Sequence, residues 1–359
     1  MDALTPPHPV GRIHGGPGPA GPARFDFSTT ANACGPCPLA LAAVREADRR
    51  HYPDPAYTAL KSQLAAFHGV AAGRVMLAAS ASEFIFRLTA VTALHANGPV
   101  AVPVHAFGDY ATAARGYGRP VLRDGETRAD DRGAEAATLV WHTDPGSPLG
   151  NAWPPLEEAV LPPPLLSEAV TVVDRACEPL RLEGHSTWEA AALDGVFQLW
   201  SPNKALGLTG VRAAYALAPD GAQGAAWVQR LEAACPSWPL GAEGVALLQA
   251  WASPAVQAWV ATSRDTLQVW KAQQTQALQA LGWQVLPSVT NFNLLRPPAH
   301  GAWGPCATDD RVAAVHSALA AEGVAWRHTA SFGLPGAWRV SVQAPPAQAA
   351  MLAALRRLT

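Results

Sequence analysis

Lysine is nearly missing from this chain. Of its 26 basic residues, 23 are arginines and three are lysines: Lys61, Lys204 and Lys271. Charge of any kind is sparse, at 15% of residues against a typical quarter. With a formal net charge of -2, there is no electrostatic footprint for nucleic acid or an anionic membrane. No run of 18 apolar residues occurs. The best candidate, Phe84 to Val104, is broken by Arg87, His95, Asn97 and two prolines, so a membrane span is not expected. The opening Met1 to Gly16 has no apolar core or charged flank of a secretory signal, and a soluble, cytoplasmic protein is expected. Five cysteines, an odd number in a long chain, argue against a disulfide scaffold.

What is present fits a large globular chain. Its 359 residues, 49% of them hydrophobic, have room for two domains. Gly and Pro dominate an N-terminal arm, 1–35, in which Phe25 to Ser28 can form a short strand. Asp54 before Pro55 reads as the start of a helix. Tyr57, Leu60, Leu64 and Phe67 continue it on one face up to Gly69. Strand and helix patterns then alternate. Strands are expected at 74–78, 99–104, 138–142, 169–173, 196–200 and 212–217, with helices at 82–95 and 109–117. Several strands are apolar on both faces, as buried parallel strands are. This predicts an α/β fold with a mixed, mostly parallel sheet flanked by helices, over a large domain at 36–248. A long helix, 255–281, leads into a smaller α+β domain at 249–359, with strands at 291–295, 324–327 and 338–342.

Where arginine serves for plain positive charge, a surviving lysine matters, because only lysine offers a primary amine for a Schiff base. Lys61 and Lys271 lie on helices and are expected to face solvent. Lys204 follows the apolar strand that ends at Trp200, and strand ends in α/β sheets are where ligand sites form. A lysine in a surface turn is the plain alternative. Its company argues otherwise: Ser201 and Arg212 suit a phosphate beside an aldehyde. Asp174 ends another apolar strand. It can cap a helix, or it can partner a pyridinium nitrogen.

Ser201 to Tyr215 resembles the cofactor-lysine segment of the fold-type I, class I/II aminotransferases, S-x-S-K-x-x-G-L-x-G-x-R-x-G-Y, nearly end to end. The branch of histidinol-phosphate aminotransferase and threonine-phosphate decarboxylase is the nearest in pattern. Tyr52-Pro53-Asp54-Pro55 is common to both, and His14-Gly15-Gly16 looks like the start of the decarboxylase. The resemblance implies pyridoxal 5'-phosphate in an aldimine with Lys204, which then shuttles the proton. It implies Asp174 at the ring nitrogen, Phe107 stacked on the ring, and Ser201, Arg212 and the Ser80-Ala81-Ser82 helix start around the phosphate. Tyr52 would reach the cofactor of a second copy in a homodimer. Arg339 would bind a substrate carboxylate or phosphate, with Arg327 assisting and Asn291 nearby. The activity implied is transamination of a small amino acid or amino-acid phosphate. Decarboxylation of an amino-acid phosphate is the alternative, and a binding protein without turnover is a second one.

The chain departs from that pattern. The usual Asp-Glu-Ala-Tyr is Asp174-Arg175-Ala176-Cys177 here, and N-P-x-N-P-x-G is Asp144-Pro145-Gly146-Ser147-Pro148-Leu149-Gly150. The tyrosine and asparagine that contact the ring oxygen are thus Cys177 and Ser147. Asn203 precedes Lys204 in place of serine. Cys34-Gly35-Pro36-Cys37 has redox spacing but lies in a Pro/Gly arm with no preceding strand–helix unit. One such pair leaves a zinc tetrahedron half built, and the histidines show no ligand spacing, so no metal is expected.

Overall fold

A computed structural model describes residues 14–19, 21–96, 98–123, 137–152, 169–298 and 309–358. The first thirteen residues of the expected arm lie outside the described residues. The first half of the chain holds β1 (Phe25–Asp26), α1 (Pro38–Glu46), α2 (Thr58–His68), β2 (Val75–Ala78), α3 (Ala81–His95), β3 (Val100–Val102), α4 (Gly108–Gly116), β4 (Val121–Arg123), β5 (Leu139–Thr143) and β6 (Val170–Asp174). Then come α5 (Ala190–Asp194), β7 (Phe197–Trp200), β8 (Ala214–Leu217), α6 (Gly221–Ala233), α7 (Ala242–Trp251) and α8 (Pro254–Ala280). The C-terminal part holds β9 (Gln284–Val285), β10 (Phe292–Arg296), α9 (Asp309–Ala321), β11 (Val324–Ala325), β12 (Arg327–His328), β13 (Trp338–Ser341) and α10 (Pro345–Arg356).

Seven strands form one sheet in the order β2-β8-β7-β6-β5-β3-β4. Only β8 runs against its neighbours. The fold is therefore the mixed, mostly parallel α/β sheet expected. Each face is covered. Phe84, Leu88, Tyr110 and Trp227 bring α3, α4 and α6 onto one side. Leu60, Leu64, Leu247 and Val260 bring α2, α7 and the first part of α8 onto the other. A four-stranded antiparallel sheet, β12-β13-β10-β9, packs through Trp283, Trp338 and Val340 against Leu278 of α8 and Met351 of α10. Helix α8 thus contributes to two cores. It starts on Ser253, whose hydroxyl accepts the Val256 amide, with Pro254 in the first turn, and Gly282 follows it at φ 80°.

Three expectations are corrected. Helix α2 starts at Thr58, because Tyr57 sits at φ 51°. Asp54 still accepts the Thr58 amide, at 2.7 Å. The expected strand 324–327 is two strands: β11 pairs in parallel with β1 of the arm, and β12 pairs with β13. Lys271 does not face solvent. It is buried, its amine 2.7 Å from Glu183 and also bonded to the Ser288 carbonyl. Lys61 is likewise engaged, at 2.7 Å from Glu232.

Candidate active site

The C-terminal ends of β3, β5, β6 and β7 open into a cavity of about 480 Å³. Such a crevice is where an open α/β sheet binds ligands. Lys204 lines it, in the turn after β7, and its amine has no hydrogen bond or ion pair among the described residues. The turn is braced by the arm. Asn32 N–H donates to the Lys204 carbonyl at 2.9 Å, and Cys37 N–H donates to the Leu206 carbonyl at 2.8 Å. A Cβ on Gly35 would come within 3.0 Å of the Gly207 Cα, so both glycines permit this close approach. That is the structural role of the cysteine-flanked Gly35-Pro36 segment; Cys34 and Cys37 are free thiols.

Asp174, the last residue of β6, is buried at the cavity wall. Its Oδ2 accepts from the Tyr110 hydroxyl at 2.6 Å and its Oδ1 from the Ala176 amide at 2.8 Å. Burial pushes its carboxyl up, against these two bonds and the charge of Lys204. A buried carboxylate held, among the described residues, by a phenol and an amide suits a cationic group docking from the cavity. Tyr110 was not picked out from the sequence. It stacks on Trp141 at 4.6 Å. Its place three residues past Phe107, on the inner face of α4, is the signal that points to it.

The same lining holds an anion cradle. Ala81 and Ser82 line the cavity at the start of α3, together with Ser201 and Arg212. The Ser80 hydroxyl is not in the lining. It accepts the Glu83 amide at 3.0 Å, which leaves the first helical amides for a ligand. Phe107 also lines the cavity, where it can cover one face of a flat ring.

The lining holds a second cationic centre, Arg327 and Arg339. Arg339 donates to Ser147 Oγ and to the Ser28 carbonyl, each at 2.9 Å. Its buried Nε has no partner among the described residues, and burial draws the guanidinium down to about 10. Arg327, its cross-strand neighbour, donates to Ser331 Oγ at 2.5 Å. Cys177 lines the same space, its thiol pushed up by burial and drawn down by Lys204. The lining also includes His14, Gly15 and Gly16. Gly16 N–H donates to Ser28 Oγ at 2.8 Å, and a Cβ on Gly15 would sit 2.2 Å from the Ser28 carbonyl oxygen.

Besides Ser80, the lining lacks Asn291 and also Tyr52, which is expected at a second copy's cavity. Asn291 is buried outside the lining, and its amide donates to the carbonyls of Thr30 and Ala31. It anchors the arm. Tyr52 is 78% exposed and stacks on Trp238 at 4.5 Å, away from this cavity. Among the described residues, no group of three metal-ligating side chains occurs.

An amine, a buried carboxylate, a covering aromatic and an anion cradle around one cavity fit a phosphorylated pyridine aldehyde. Residues 25–358 match the protein family described as aminotransferase class I and II. Histidinol-phosphate aminotransferase of Hyphomonas neptunium is 28% identical over 99% of this chain and 95% of its own length. Among solved structures, histidinol-phosphate aminotransferase from Sinorhizobium meliloti, in complex with pyridoxal-5'-phosphate, superposes with a TM-score of 0.77. It is 20% identical, covering 100% of this chain and 98% of that one. L-threonine-O-3-phosphate decarboxylase from Porphyromonas gingivalis gives a TM-score of 0.72 at 20% identity, over 92% of this chain and 98% of that one.

Proposed function

From the premise that the chain belongs to the class I and II aminotransferases and is a pyridoxal 5'-phosphate-dependent aminotransferase, we propose that it acts on a small amino-acid phosphate or a related doubly anionic amine. The observation that carries this is charge. Five arginines (Arg115, Arg123, Arg212, Arg327 and Arg339) and Lys204 line the cavity against two carboxylates, Asp109 and Asp174. One cradle serves the cofactor phosphate, and the Arg327–Arg339 centre remains for a second anion.

When bound, the cofactor supplies an aldehyde for an amine and a ring that takes up the electron pair released at the substrate Cα. The residues of the chain do the rest. Lys204 would hold the aldehyde through its amine and, with that amine free, would take the proton from the substrate Cα and return it. Asp174 would keep a proton on the ring nitrogen, with Tyr110 fixing the carboxylate. Ser201, Arg212 and the amides of Ala81 and Ser82 would hold the phosphate, and Phe107 would cover the ring. Ser147 and Cys177, in the same lining, would serve in place of the asparagine and tyrosine of the family pattern. Arg339, with Arg327, orients the substrate.

We read the chain as an arm at 1–35, a large domain at 36–248 and a small domain at 249–359, acting as a cytoplasmic homodimer. Tyr52, exposed and stacked on Trp238, supports the dimer reading: an exposed ring held in this way is free to serve a second copy's cavity. Sedimentation of the holoenzyme at twice the monomer mass would support this, and a monomer would exclude it.

A second reading, decarboxylation, is favoured by one feature: the His14-Gly15-Gly16 segment lines the cavity, as expected of an arm that contacts the substrate. Turnover of a phosphorylated amino acid separates the two. Oxo-acid formation that requires an amino acceptor supports transamination; carbon dioxide release without an acceptor supports the alternative.

A further inference from the structure

Behind the cavity wall, five side chains form a closed ring. Arg175 Nη2 lies 3.1 Å from Glu178 Oε1, and Glu178 Oε2 lies 2.8 Å from Arg181 Nε. Arg181 Nη2 lies 2.7 Å from Asp144 Oδ1. Ser186 closes the circuit, donating to Asp144 Oδ2 at 2.5 Å and accepting from Arg175 Nη1 at 3.3 Å. Asp144, Arg175 and Arg181 are buried. Two guanidinium groups alternate with two carboxylates, so the ring is formally neutral. It joins the turn after β5, which carries Ser147, to the turn after β6, which carries Cys177. Asp144 N–H also donates to the Asp174 carbonyl at 3.1 Å.

Two members of the ring are places where this chain departs from the pattern it otherwise follows. Asp144 stands for asparagine, and Arg175 for glutamate. With Arg181 and Glu178 in place, either residue without the other leaves a buried net charge, which is strongly destabilising; with both present the ring is neutral. We propose that the ring is a positioning device for the cofactor pocket, and that Asp144 and Arg175 are a compensating pair, each tolerated because the other is present. The first half concerns the site read above as the cofactor site and rests on that reading. The second half does not.

The test uses Asp144→Asn, Arg175→Gln and the double variant, which restores neutrality. In thermal unfolding without cofactor, each single variant should melt several degrees lower, and the double should recover much of the loss. Additive losses would overturn the pairing. If a single variant does not fold, a folded double still supports it, and an unfolded double overturns it. With cofactor bound, the pH midpoint of its absorbance reports positioning and charge. The charged and titratable groups lining the cavity with the Lys204 amine are Asp109, Asp174, Arg115, Arg123, Arg212, Arg327 and Arg339, with His14, Tyr110 and Cys177; these are unchanged in all variants. Losing Arg175's charge should raise the midpoint, and losing Asp144's should lower it, each by roughly half to one pH unit. The double should return to the parent value. Both singles moving the same way, or neither moving, would overturn the positioning role. A parent protein with no cofactor absorbance would sink the cofactor reading instead and leave the thermal comparison to decide the pairing.

Discussion

Tyr110 donates its hydroxyl hydrogen to Asp174 Oδ2 at 2.6 Å, inside the core between α4 and the sheet. The bond favours the ionised carboxylate against burial, which pushes it toward the neutral form. Tyr110→Phe removes a hydrogen bond to a charge, worth about 1.5–3 kcal/mol. The expected result is a fall in kcat of about 10- to 100-fold and weaker cofactor retention, with the acid limb of the pH–rate profile moved to higher pH. An unchanged acid limb would show that Tyr110 does not tune Asp174.

Arg339 bonds the arm through Ser28 and the turn after β5 through Ser147. Arg339→Gln should raise KM for an anionic substrate by about 100-fold, the worth of a charge-assisted pair, and leave cofactor absorbance as it is. Loss of cofactor instead would assign Arg339 to the phosphate cradle.

Gly15 has no room for a side chain against the Ser28 carbonyl. Gly15→Ala should displace the arm from the cavity mouth. The melting temperature should fall by a few degrees, for a cost of about 1–3 kcal/mol, and KM should rise. A parent-like KM would remove the arm from substrate binding.

His68 and His142 are both drawn down to about 4, mainly by burial. Between that value and the ordinary 6.5 the unfolded chain binds more protons than the folded one, so stability is full above about 6.5 and falls as pH drops toward 4. Melting temperatures at pH 7, 5.5 and 4.5 should decline in that order. His68→Gln, which cannot titrate but can still meet the Tyr215 hydroxyl bonded by His68 at 2.7 Å, should flatten the decline. An equally steep decline would exclude His68 as its source.

Most of the fold was legible in the sequence because its strands are apolar on both faces and its helices carry regular apolar spacing. The failures have physical causes. Local pattern does not distinguish one strand from two when the chain changes partner between Ala325 and Arg327, as β11 and β12 do. Lys271 sits on a helix that looks polar, and only the tertiary fold brings Glu183 and the Ser288 carbonyl to its amine. Lys204, Asp174, Ser201 and Arg212, which line the cavity, stand out in the sequence because their types beside apolar strands suit a phosphorylated aldehyde. Tyr110 is hidden among core aromatics, and the bonds of the Asn291 amide to the arm, more than 250 residues earlier in the chain, leave no local signal.

The central claim is that the amine of Lys204 carries the cofactor. The direct measurement is the absorbance of the protein after pyridoxal phosphate is added, followed by borohydride reduction and peptide mass analysis. A band near ~410–430 nm that vanishes on reduction, with the added mass on Lys204 and neither band nor mass in Lys204→Ala, is the predicted result. A reduced adduct on Lys61 or Lys271, or on no lysine at all, would contradict it.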